Sequence, residues 1–161
     1  MERQVIKRLA ILGLVSMFAL LGAVTSANAQ LRNPIRAKIP FDFNVGEKKL
    51  PAGEYIFRRV SDFSNTNTMS VKNVDGSVHL FKSTLEAQVL TPKNQSVLVF
   101  HKYGDQYFLE QIWLRGDLDG TQLAESRTER TTRRQLAQTQ QKNMTGKAIR
   151  TETVDIVASL F

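Results

Sequence analysis

Between Ile35 and Val45 the odd positions are Ile35, Ala37, Ile39, Phe41, Phe43 and Val45, and the even ones are Arg36, Lys38, Pro40, Asp42 and Asn44. A strict period of two demands an extended backbone with one apolar and one wet face, because a helix would scatter these side chains around its axis. The alternation predicts a strand over Ile35 to Val45, with Pro40 at an edge or a position that donates no ladder hydrogen bond.

The same reading continues downstream. Gly46 to Lys49 and Leu50-Pro51-Ala52-Gly53 read as turns, and Glu54 to Val60 as a strand with Tyr55 and Phe57 on one face. After a polar loop from Ser61 to Asn67, Thr68 to Val74 and Val78 to Thr84 are strands joined by Asp75-Gly76, a strong hairpin signal. Leu85, Ala87 and Val89 share a face in the next short strand. Ser96 to Lys102 and Gln106 to Arg115 form a second hairpin across Tyr103-Gly104-Asp105, and Gly116 to Gly120 is expected to end the run.

About six or seven short strands with turns between them indicate an all-β fold, an antiparallel β-sandwich or small barrel. No βαβ alternation and no Gly-rich phosphate loop is present. Ser126 to Lys142 is polar and basic, with Leu136 its only large apolar residue, and is expected as an exposed helix or a loose arm. Lys147 to Phe161 regains β character and could close the sheet by pairing with an edge.

The chain begins with Arg3, Lys7 and Arg8, an apolar stretch from Leu9 to Val24, and Ala27-Asn28-Ala29 before Gln30. These are the parts of a cleavable export signal. The organisation expected is a signal peptide over 1–29, an antiparallel β domain over 30–125, a polar basic helix or arm over 126–146, and a C-terminal strand or tail over 147–161. An exported chain works in the periplasm or outside the cell, with no integral membrane span after cleavage. The formal charge of +7, less +2 carried by the leader, leaves +5 on the mature chain. The length from Gln30 onward buries roughly two-thirds of its unfolded surface without cross-links, and the absence of Cys excludes disulfides and thiol chemistry.

Two stretches resemble a family of small exported proteins of unassigned function that is common in Acidobacteria. They run from Ile39-Pro-Phe-Asp-Phe-Asn-Val-Gly-Glu-Lys-Lys-Leu-Pro-Ala-Gly-Glu-Tyr55 and from Val99-Phe-His-Lys-Tyr-Gly-Asp-Gln-Tyr-Phe-Leu-Glu-Gln-Ile-Trp113. The resemblance covers roughly Ile39 to Glu125 and implies export and a β-rich domain. It implies no reaction and no catalytic residue.

No catalytic constellation is legible. Serines sit in polar loops without a nucleophile elbow, and Asp117 with Asp119 lacks the remainder of a calcium loop. His79 and His101, the only imidazoles, could join Asp105 or Glu110 only if their strands are neighbours, too few ligands to expect a metal. Glu110 lies on a strand whose two faces both look partly apolar, so its orientation is open. The expectation is a non-enzymatic binding or envelope-associated β protein with no cofactor, whose partner is an envelope polysaccharide, a lipid or an envelope protein, with no nucleic acid. The candidate ligand-binding residues are Tyr103, Tyr107 and Trp113 on the aromatic hairpin and Arg130, Arg133 and Arg134 on the basic arm. The rival is a periplasmic carrier or enzyme with a lipid-binding cavity inside the barrel.

Overall fold

A computed structural model describes residues 34–61, 67–142 and 151–160. The leader, 62–66 of the polar loop, and 143–150, where the arm gives way to the C-terminal segment, lie outside the described residues. The alternating segment forms two strands, β1 (Ile35–Ile39) and β2 (Phe43–Val45). The single strand expected over Ile35 to Val45 is corrected here: the chain breaks at Pro40, which has no N–H to continue a ladder. The face assignment survives the break, for Ile35, Ala37, Ile39, Phe43 and Val45 are all buried.

The chain continues through β3 (Lys48–Leu50), β4 (Gly53–Ser61), β5 (Asn67–Asn73), β6 (His79–Ser83) and β7 (Leu85–Gln88). The β8–β9 hairpin (Ser96–Tyr103 and Gln106–Trp113), β10 (Asp119–Gln122), the helix α1 (Arg127–Lys142) and β11 (Glu152–Leu160) complete it. Gly76 and Gly104 take positive φ, as the two tight turns require. The strands make one sheet in the order β3-β2-β9-β8-β11-β1-β4-β5-β6, with β10 bridging β7 and β9. The fold is all-β.

Three further expectations are corrected. The sheet is mixed, because β2 runs parallel to β9 through Phe43 opposite Tyr107 and Asn44 opposite Phe108. The Asp- and Gly-rich segment does not end the strands: Asp119 begins β10, which pairs with β7 and with Gln111 and Ile112 of β9. The C-terminal strand takes an interior place between β8 and β1.

The sheet curls. Phe43 and Leu50 near one end of the strand order share a core with Met69 and Val71 near the other, together with Tyr55, Phe57, Leu98 and Phe100. Phe100 stands edge-on to Phe41 and Phe43, with ring centroids 5.4 and 5.6 Å apart. Fully burying each such side chain stabilises the fold by about 1.5–3 kcal/mol. The curl also brings Lys82 of β6 against the turn after β2, where a Cβ on Gly46 would lie 2.7 Å from its Nζ. A second, smaller core forms from Val97, Val99 and Trp113, covered by Ala87 and Val89. Leu85, expected on the same face as those two, is exposed.

Candidate functional site

The β8–β9 ladder carries an irregularity between Val99 and Phe100. Val99 faces Gln111 and Phe100 faces Leu109, so Glu110 has no partner of its own. Such a bulge shifts side-chain parity by one, which is why Leu109 and Ile112 both reach the main core although they are three positions apart. The shift accounts for the apolar look of both faces of β9 and leaves Glu110 beside His101.

His101 lies between two carboxylates from different elements. Its Nε2 is 2.8 Å from Glu110 Oε2 and its Nδ1 is 2.9 Å from Glu129 Oε1. Glu129 belongs to the first turn of α1 and is only 7% exposed. The sequence Ser126-x-x-Glu129 has the form of a capping box. Ser126 Oγ accepts from the Glu129 N–H at 3.0 Å, but the Glu129 carboxylate turns away from the cap to meet the imidazole. Glu47 takes over the remaining capping: its carboxylate accepts from the Arg127 N–H at 2.6 Å, from the Thr128 N–H at 3.3 Å and from the Thr128 hydroxyl. An acidic partner also suits the positive end of the helix dipole. The Thr128 hydroxyl and then the Arg127 N–H hold the Glu47 carboxyl below its ordinary value.

A neutral imidazole has a single N–H, so two flanking carboxylates favour the imidazolium. The contact to Glu129, followed by the charge of Glu110, raises the His101 pKa against the opposing effect of burial. Glu125 and Glu129 approach from the helix side, Arg133 from the next turn, and Tyr103 from the same strand. Tyr103 donates to Glu129 Oε1 at 3.4 Å, and burial, then the Glu129 charge, pushes its phenol up. The stabilisation from the imidazolium is fully present below the unfolded value of about 6.5 and is lost as pH rises through the higher folded-state value. Urea midpoints are therefore expected to fall between pH 6 and pH 9 in the wild-type chain and to change much less over that range in His101→Gln. Parallel curves for the two proteins would contradict the assignment.

The cluster borders a cleft of about 300 Å³ between α1 and the β8–β9 hairpin, walled also by Gln122, Leu123 and Thr151. Leu123 is the single aliphatic residue of the lining. Glu125 pairs there with Arg133 at 3.0 Å and touches Arg130 at 3.4 Å. Of the six candidates from the sequence, Tyr103 and Arg133 meet in this cleft. Arg130 sits at its rim through Glu125, whereas Arg134 is exposed further along α1. Tyr107 stacks on Phe41 at 3.8 Å beside the main core. Trp113 is buried in the smaller core, with its Nε1–H donated to Gln111 at 3.0 Å.

His79 is on β6, remote from β8 in the strand order, and its Nε2 is 3.0 Å from Ser70 Oγ. The two imidazoles are not brought together. Among the described residues no group of three or more His, Asp or Glu side chains is placed to hold a metal ion, and no helix is long and apolar enough to cross a membrane. Sequence reasoning missed Glu129 because it belongs to the segment expected as an exposed helix or a loose arm, and Glu125 because it stands just before that segment. The Ser-x-x-Glu spacing was the available signal. No family model, no curated protein and no solved structure matches the chain.

Proposed function

We propose that this chain is an exported, non-enzymatic binding module of the cell envelope, and that its ligand site is the cleft between α1 and the β8–β9 hairpin. The observation that carries the reading is the polar cleft itself, a pocket of about 300 Å³ fixed on one side by a paired hairpin. Ligand sites are concave and carry convergent polar groups that fix the ligand's orientation. Export rests on the basic, apolar and small-residue segments of the leader, and agrees with what the family resemblance implies.

The lining favours an uncharged, hydroxyl-rich ligand, a saccharide of the envelope. Carboxylates accept from hydroxyls, Gln122 both donates and accepts, and Arg133 donates. The charges around the cleft are mixed in sign, which suits neither a strong anion nor a strong cation. An acyl chain would need apolar walls. The place where a lipid carrier would hold one, the concave side of the sheet, is occupied by Phe43, Tyr55, Phe57 and Phe100. A non-enzymatic role is supported by His101, whose two nitrogens are already engaged by carboxylates and so offer no free base.

Calorimetric titration with neutral oligosaccharides from the host envelope is expected to show saturable heat. Arg133→Ala and Gln122→Ala should each weaken it about tenfold, the loss expected when one hydrogen-bonding partner is removed. Stoichiometric uptake of a fatty acid instead, saccharide binding unaffected by both substitutions, or cleavage of the saccharide to new reducing ends would contradict the proposal.

A further inference from the structure

The charge on α1 is unevenly placed. The helix holds Arg127, Arg130, Arg133 and Arg134 and a single acid, Glu129. Glu129 is turned inward and buried against His101, so the helix shows no carboxylate of its own to solvent. At about 100° per residue, Arg127, Arg130 and Arg134 fall within a sector roughly 60° wide, centred about 130° from Glu129. All three are exposed. Arg130 makes a long contact with Glu125, and Arg127 and Arg134 form no side-chain ion pair among the described residues. The outward face is otherwise Thr128, Thr131, Gln135, Gln138 and Thr139, and the two apolar residues of α1, Leu136 and Ala137, are half-buried.

We propose that this arginine face of α1 docks onto an anionic, phosphate-bearing polymer of the cell envelope, independently of the cleft. Arginine is the side chain suited to phosphate, because its planar fork donates two parallel hydrogen bonds to one group. A polymer fits better than a bilayer: helices that lie in a membrane interface pair their basic face with large apolar residues that enter the acyl region, and α1 has Leu136 alone, half-buried. The inward turn of Glu129 preserves the surface, since an outward carboxylate at the first turn would repel the same ligand and neutralise Arg133 one turn on.

The test uses the chain expressed in and purified from its native host, with retention measured on immobilised long-chain polyphosphate over a salt series. Arg127→Gln with Arg134→Gln is expected to weaken retention at least tenfold, on the scale of about 1 kcal/mol for each basic residue near a charged surface. Replacing both by Lys should recover only part of the loss. Lys38→Gln with Arg58→Gln removes equal charge from exposed positions on β1 and β4 and should alter retention less than twofold. Equal losses from the two pairs would reduce the effect to net charge and overturn the proposal. Retention on vesicles of phosphatidylglycerol and phosphatidylcholine in equal parts, without retention on polyphosphate, would overturn the polymer in favour of a membrane.

Discussion

Phe100→Ala is expected to lower the unfolding free energy by about 3–5 kcal/mol, read as a shift in the urea midpoint at unchanged slope. Phe100 is 0% exposed and meets the two rings that follow the Pro40 break, Phe41 and Phe43. Removing it deletes a fully buried ring from the core that both ends of the strand order share. Phe100→Leu, which retains most of the volume, should cost less than half as much. A loss below about 1 kcal/mol for the alanine variant would mean that the cavity collapses freely, and that the core is looser than the burial of its neighbours implies.

The smaller core provides the second large effect. Trp113 is 3% exposed and lies flat against Gly120 of β10, so that a Cβ there would come within 2.6 Å of its ring. Trp113→Ala should cost about 3–5 kcal/mol through the cavity, and Gly120→Ala about 1–3 kcal/mol because the buried ring has no room to withdraw. The pair is coupled. In a Trp113→Leu background the added methyl meets a smaller neighbour, and Gly120→Ala should lose about 1 kcal/mol or more of its penalty in a double-mutant cycle. Additive effects would show that the two side chains do not share the space. Trp113, which sequence reasoning offered as a ligand contact, is thus placed to anchor β10 on β9.

The fold was legible where local pattern and tertiary burial agree. Alternation from Ile35 to Val45 named Ile35, Ala37, Ile39, Phe43 and Val45 as buried even though the strand breaks, but it placed Asn44, which is buried, on the wet face, and Phe41 is only half-buried. Asp75-Gly76 and Gly104-Asp105 fixed two hairpins, their glycines supplying positive φ. What stayed hidden was non-local. Nothing in Phe43-Asn44-Val45 announces a parallel partner in β9, and β10 was concealed by Asp and Gly residues that equally suit a turn.

The candidate site was legible only in fragments for the same reason. His101 and Glu110 were considered together, but the bulge that brings them side by side is a feature of pairing between strands, invisible along either one. The order of α1 arises from polar contacts with residues distant in sequence, Glu47 at its first N–H groups and His101 at Glu129, so the missing apolar stripe left the choice between an exposed helix and a loose arm open. A helix docked by carboxylates leaves no hydrophobic signature.

The central claim is that a protonated His101, gripped by Glu110 and Glu129, joins the helix to the hairpin and so shapes the cleft. Nitrogen-detected NMR of the His101 ring across a pH titration reads this directly. The expected result is a titration midpoint above the ordinary histidine value of about 6.5, with both ring nitrogens protonated below it. A midpoint at or below that value would contradict the bridging role of His101.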